Sequence, residues 1–522
     1  MFTRLLTKSE KWRWLAGLVI VLLTFAAHYN GLFGEFLTYD DDTHITRNSV
    51  IRALTADNLR VMFTGQIANL YCPLTWLSFA VDYQIWGLNP FGFHLTNLLL
   101  HIANSLLVML LIHRLLRDLT PHAALIAALT GAIFGVHPLH VESVAWATER
   151  KDVLFGFFYL LALLAYLRWV TTGRRVAFWC CFVAFIAATL SKSAAVTLPA
   201  VLLLVDVFWA RRVAWLEKLP FFLVSAIVAG ETVLAQTPAL ASTELIPLAD
   251  RVGLVGYCGL FYVEKFFWPV NLSAIYPSFS RMSWSSLTGL GYALGFLAVT
   301  AGVVGLRRRA PILLPAWLFY LITLSPTIGL APVGLHVVAD YYSYIPQLGI
   351  GLAVSVGLVT AGQRLPALRP VILGATGLLL LTWTVLSARY SAAWANTETL
   401  FQSVLVQYPR CLPAHINLAN WYREHQQWDA AINHSQQAVA VAPTSLPGRR
   451  NLAMALISAG RPREAVPVVR EVLAENMTDP ELWRALYLAF TALGNDQNAA
   501  AAKAHWEQLQ PRGHSHSITA PP

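Results

Sequence analysis

Charge is what this sequence is short of. Only 12% of its 522 residues are Asp, Glu, Lys or Arg, against 56% hydrophobic residues. A soluble globule of that length exposes far more charge, so the chain as a whole is not a soluble enzyme or carrier. Cysteine is scarce as well. Of the five, Cys180 and Cys181 sit inside an apolar run and Cys72, Cys258 and Cys411 are scattered, which excludes a disulfide framework. His137 and His140 form a His-x-x-His with no third ligand at metal-site spacing, so a zinc centre is not indicated. A small-residue cleavage site is missing after the first apolar run, about Trp14 to Ala27; "HYNGLFGEF" follows it and suits an uncleaved first helix.

Apolar runs of membrane-spanning length recur from about residue 14 to about residue 388. They predict an all-α polytopic membrane helix bundle over residues 1–390, with about eleven spans. The net charge of +9 then reflects loop anchoring rather than nucleic-acid binding, because Lys and Arg gather in short clusters between hydrophobic runs. Placing those clusters in the cytoplasm puts three segments outside: a loop over about 32–93, the turn His137–Asp152, and Ala331–Pro346. "RVGLVGYCGLFYVEKFFWPVNLSAIYP", from Arg251 to Pro277, carries Glu264 and Lys265 in an apolar, aromatic helix and is assigned to the outer interface. The N-terminus is then cytoplasmic and the tail extracytoplasmic.

Residues 391–522 are polar and lack a spanning run. Ala431, Ala465 and Ala499 recur at a step of 34 residues, as do "NLA" at Asn417 and Asn451, and Gly460 and Gly494. That step is the tetratricopeptide period, so the tail is an α-solenoid of helix pairs with a groove suited to a polypeptide partner.

The polar residues that remain fall on the outer face. "YDDDTHI" offers Asp40, Asp41 and Asp42 as a general base, as ligands for a divalent cation, or as a solvated acidic loop. "HPLHVESVAWATERKD" contributes His137, His140, Glu142, Glu149 and the anion-binding candidates Arg150 and Lys151, which would otherwise snorkel to lipid headgroups. Lys192, flanked by Ser191, Ser193 and Thr197, suits a phosphate or sugar hydroxyls. Lys265 lies at headgroup depth, His94 and His101 share a helix face, and Asp340 stands among tyrosines at a span end. Acids and cations together beside a bilayer suit group transfer from a phosphate-bearing lipid.

"YDDDTHITRN", "PLTWLSFAVDYQIWGLNPFGFHLTNLLLH", "HPLHVESVAWATERKDVL", "LSKSAAVTLPAVLLLVD", "AIYP", "ADYYSYIP" and the trailing repeats occur in one order. The whole resembles the transmembrane and tetratricopeptide-repeat O-mannosyltransferases of the TMTC type and their bacterial relatives. That resemblance implies a GT-C glycosyltransferase that inverts the anomeric centre of a polyprenyl-phosphate-linked sugar. It places the catalytic acids on Asp40 and Asp41, with Asp42 beside them, and the donor-phosphate cations on Arg150, Lys151, Lys192 and Lys265. His94, His137, His140, Glu142, Asp340 and Tyr342 would support the site. One departure is that relatives read Asp-Arg-Tyr where this chain has Asp340, Tyr341 and Tyr342, and His336 is the candidate to compensate. The expected enzyme glycosylates Ser or Thr of exported proteins at a bacterial inner membrane, with lipid-linked donor and polypeptide acceptor as partners. A non-catalytic scaffold that gathers periplasmic partners is the rival. A flippase would need ionisable residues deep in several spans, and few are present.

Overall fold

A computed structural model describes residues 8–67, 70–240, 248–277, 286–328 and 337–509, with the side chains of 8–11, 235–240, 248 and 249 left aside. His336 lies outside the described residues. The chain divides into two compact units, Met1–Asn396 and Thr397–Pro522. Among the described residues no strand is present beyond a single bridge between Ile67 and Leu70.

The first unit begins with α1 (Lys8–His28), α2 (Ala56–Thr64), α3 (Pro73–Trp86), α4 (Pro90–Leu116) and α5 (Ala123–Val136). It continues with α6 (Val141–Ala145), α7 (Arg150–Thr172), α8 (Arg175–Ser191), α9 (Leu198–Val205) and α10 (Leu219–Leu240). α11 (Leu248–Phe267), α12 (Leu287–Leu306), α13 (Leu313–Leu324), α14 (Gln347–Arg364) and α15 (Arg369–Ala393) complete it. Among the described residues, six helical stretches are long and apolar enough to cross a membrane: Trp12–Phe33, Pro90–Leu116, Ala147–Thr172, Ser193–Ala210, Leu287–Leu306 and Pro366–Ala393. The pair Ala123–Val136 and Pro138–Ala145, bent by 54°, makes seven if it is one span. Shorter apolar helices, Arg175–Ser191 and Leu313–Thr327, accompany them.

The unit exposes apolar side chains and buries many polar ones. α1 presents Trp14, Leu18 and Leu22 outward, and α12 presents Leu287, Leu290, Leu294 and Leu297. His28, Asn97, His101, Asn104, Ser105 and Thr130 are buried instead. Lipid replaces water around such a surface, and every polar group must find its partner inside. Small residues let the helices close in: a Cβ on Gly349 would lie 2.4 Å from the Ala316 carbonyl oxygen, and one on Gly256 of α11 2.6 Å from the Ala293 nitrogen of α12.

The segment expected as an outer turn, His137–Asp152, is not a solvated turn. Every residue from Gly131 to Arg150 is buried. The reason is that its polar groups bond inward: His137 Nε2 meets the Phe266 carbonyl at 3.0 Å, and His140 Nδ1 the Phe134 carbonyl at 2.7 Å. Its helix therefore breaks into short pieces inside the bundle.

The second unit opens with α16 (Thr397–Gln407). Three helix pairs follow: α17 (Leu412–Glu424) with α18 (Trp428–Val441), α19 (Leu446–Ser458) with α20 (Pro462–Glu475), and α21 (Pro480–Ala492) with α22 (Asp496–Leu509). Ala431, Ala465 and Ala499 are all buried between helices. The turn inside each pair needs one left-handed residue. Gly460 and Gly494 supply it with φ of 69°, and Gln426 holds the equivalent place with φ of 58°. A side chain there costs about 1–2 kcal/mol. Gln426→Gly is expected to stabilise the repeat unit by about 1 kcal/mol, read as a raised denaturant midpoint of the segment 397–522.

Candidate functional site

The acidic loop is built by what anchors it. Asp41 is fully buried. Its carboxylate accepts from the Leu37 nitrogen at 2.9 Å, the Thr148 nitrogen at 2.9 Å and the Thr148 hydroxyl. Burial outweighs these donors and pushes its pKa up to about 7. The Trp146 indole donates to the Tyr39 carbonyl at 3.0 Å, and the two rings stack at 4.6 Å. Asp42 faces Arg47 at 3.4 Å and caps the Thr43 nitrogen. The three aspartates thus differ in kind. Asp40, held between Tyr39 and Asp41 in the left-handed region with φ of 68°, is exposed and takes no hydrogen bond on its carboxylate among the described residues. Desolvation raises its pKa above the ordinary carboxylate value, Lys151 opposes that rise, and Glu149 and Asp42 add to it. A non-glycine residue strained in this way is a recurrent mark of a functional position.

The four cations separate into two sets. Lys151 Nζ lies 2.8 Å from Glu149 Oε1 and 5.8 Å from the Trp146 ring centre. Lys192 Nζ lies 3.6 Å from Glu149 Oε2, pairs closely with Asp152, and sits 4.7 Å from the Tyr341 ring centre. Tyr341, which stands where the resemblance expects Arg, therefore offers its π-face to a lysine that supplies the charge. Arg150 points elsewhere. It is fully buried, with Asp82 at 2.6 Å, the Phe93 carbonyl at 2.8 Å, Ser78 at 3.2 Å and Asn97 as partners. Four of its five N–H groups have partners, so it ties α3, α4 and α7 together. Lys265 donates to the Val270 carbonyl at 2.9 Å.

A second acidic pair lies behind the lysines. Asp340 accepts from Tyr276 at 2.7 Å and Tyr390 at 3.3 Å, and burial lifts it to about 7 against those donors and the charge of Lys265. Glu142 accepts from the Tyr341 nitrogen at 3.0 Å, while its other oxygen is buried with no partner. Tyr342 packs edge-on to Tyr341 at 4.7 Å. His137, His140 and His94 are buried in packing positions and do not join the aspartates; His94 lies against Gly34. Glu149, Thr148 and Asp82 were not singled out as site residues from sequence. Of the three, only Glu149 carries a signal there, as an acid directly beside two basic residues. Among the described residues no three His, Cys, Asp or Glu side chains converge to hold a metal.

Residues 422–489 match the family model described as tetratricopeptide repeat. The chain is similar to the Protein O-mannosyl-transferase TMTC2 of Mus musculus, 32% identical over 219 residues that cover 40% of this chain and 26% of that protein. It is similar to TMTC4 of Homo sapiens, 34% identical over 167 residues, covering 28% of this chain and 22% of that one. It is similar over most of its length to TMTC3 of Mus musculus, 23% identical over 507 residues that cover 86% and 53% of the two chains. The chain thus spans between about a quarter and a half of these relatives' own length. Among solved structures, ArnT from Cupriavidus metallidurans bound to undecaprenyl phosphate aligns at 15% identity with a TM-score of 0.40, covering 96% of this chain and 78% of that one. The resemblance drawn from the ordered motifs is thereby shown: curated relatives of this chain are O-mannosyl-transferases of the TMTC type.

Two outcomes follow from this geometry. Asp82→Ala leaves the Arg150 guanidinium buried without its counter-charge and is expected to cost about 3–5 kcal/mol, seen as a lowered melting temperature in detergent. Asp41 stabilises the fold most when protonated. Its contribution is complete below about pH 4 and is lost as pH rises through about 7, so the melting temperature should fall across that window and the fall should shrink in Asp41→Asn.

Proposed function

We propose that this TMTC-type chain is a multi-pass membrane glycosyltransferase that moves a sugar, mannose or a similar hexose, from a polyprenyl-phosphate donor to Ser or Thr hydroxyls of exported proteins. The observation that carries the reading is the contrast within the acidic triplet: Asp41 is locked and buried, whereas Asp40 is held by backbone strain with its carboxylate unbonded, beside Lys151. A base needs a free oxygen and a raised pKa, and Asp40 has both.

Asp40 takes the proton of the acceptor hydroxyl. The hydroxyl oxygen attacks the anomeric carbon from the face opposite the phosphate, and the carbon–oxygen bond to phosphate breaks with inversion. The departing phosphate carries its new charge to Lys151 and Lys192. Arg150 keeps the N-terminus of α7 in place for them, and Lys265 acts further along the lipid headgroup, toward Asp340. Glu142 and Asp340 fix the Tyr341–Tyr342 segment that cradles Lys192. The repeat unit recruits the polypeptide acceptor. The site and the repeats face the extracytoplasmic side of a bacterial inner membrane and the N-terminus faces the cytoplasm, as the distribution of basic clusters supports.

The scaffold alternative drew its support from Tyr341 in place of Arg. That support weakens where Lys192 stands over the same tyrosine. Transfer from a polyprenyl-phosphate mannose to a Ser/Thr peptide, followed in detergent by mass spectrometry, tests the reading. Asp40→Asn is expected to lower kcat about 10²–10⁴-fold. In the unmodified protein kcat/KM should rise with pH through a limb displaced above the ordinary aspartate value of about 3.9, and that limb should vanish in the variant. Undiminished transfer by Asp40→Asn defeats the assignment.

A further inference from the structure

Between the two lysines sits a carboxylate that the proposed reaction does not use. Glu149 is buried at the N-terminus of α7, with Oε1 on Lys151 at 2.8 Å and Oε2 3.6 Å from Lys192. Oε2 is buried and meets Lys192 only at that longer distance. An unmade bond on a buried oxygen costs about 1–3 kcal/mol, so a residue placed only for stability is badly served here. The surroundings show what the position is good for. Lys192 is still partly open, on a narrow cleft lined by Asp152, Thr197, Thr327, Tyr341 and Tyr342. Lys151 is likewise partly open, against the ring of Trp146. Both ammonium groups meet the Glu149 carboxylate, and Lys192 has Asp152 as a second, closer partner.

We propose that Glu149 is the resident counter-anion of a phosphate seat formed by Lys151 and Lys192, and that the phosphodiester of the incoming donor and the phosphate monoester that departs both compete with its carboxylate for the two lysines. This rests on the reading above that the lysines receive the donor phosphate. With the seat empty, Glu149 and Asp152 neutralise the two cations in a low-dielectric place where bare charges are expensive. With phosphate bound, Glu149 repels it, which weakens the grip on the product. The residue is a positioning and release element; it does not touch the anomeric carbon or the acceptor hydroxyl.

The test is equilibrium binding of geranyl phosphate, and separately of inorganic phosphate, to the full chain in detergent. Glu149→Gln preserves shape and removes the charge. It is expected to bind both probes on the order of tenfold more tightly. In turnover, KM for the lipid donor and kcat should fall together, because release slows while capture does not. Unchanged or weaker geranyl phosphate binding by Glu149→Gln overturns the proposal. So does tightening confined to inorganic phosphate, which would detach the seat from a lipid headgroup. If Glu149→Gln does not fold, Glu149→Asp, which draws the carboxylate back by one methylene, should tighten binding by a smaller factor, and unchanged affinity there overturns the proposal equally. Lys151→Met and Lys192→Met separate the two levels. Should neither weaken geranyl phosphate binding, the phosphate-site reading itself fails. Should both weaken it while Glu149→Gln leaves it unaltered, only the role of Glu149 fails.

Discussion

Everything in the membrane unit depends on one constraint: a broken helix, running from His137 to Glu149, is buried where water cannot satisfy it. Polar groups buried there are met by other parts of the chain wherever they are met at all. Phe266 at the end of α11 supplies a carbonyl to His137, and Phe134 supplies one to His140. Asn97 of α4 donates to the carbonyls of Val144 and Trp146. The acidic loop after α1 closes the outer side, with Asp41 taking the Thr148 amide and hydroxyl. The segment is therefore the point where α4, α7, α11 and the first loop are cross-braced, and the lysines and aspartates are positioned by it.

Much of the architecture is visible in the sequence because it is periodic or compositional. The 34-residue step of Ala431, Ala465 and Ala499 reappears as helix pairs starting at Leu412, Leu446 and Pro480. The apolar runs reappear as helices whose outer faces are Leu, Val and Trp. The acids and cations of the site are visible by type and order. Their division of labour is not. That Asp41 is a clip and Asp40 is free depends on Thr148, more than a hundred positions downstream. That Arg150 is tied to Asp82 and Phe93 depends on the packing of α3 and α4 on α7. Long-range pairings leave no local periodicity, and in a single sequence each charged residue looks equally available.

The same helix carries two charged layers of different character. At its start, Lys151 and Lys192 stay partly open to a cleft. Near its other end, Tyr166, Asp206 and Lys218 form a closed set in which the lysine and the aspartate have no exposed surface. This buried ion pair ties α7 to the end of α9 and the start of α10. The two layers differ in access rather than in residue type.

Asp40 owes its position to a backbone angle and not to any neighbour gripping its side chain. Both carboxylate oxygens consequently keep their lone pairs for whatever arrives from outside, and no native contact has to be surrendered first. A longer acid at that place would have to adopt the left-handed turn without the tolerance that the short aspartyl and asparaginyl side chains enjoy there. Main-chain sterics therefore limit which side chains can stand here before any question of chemistry arises.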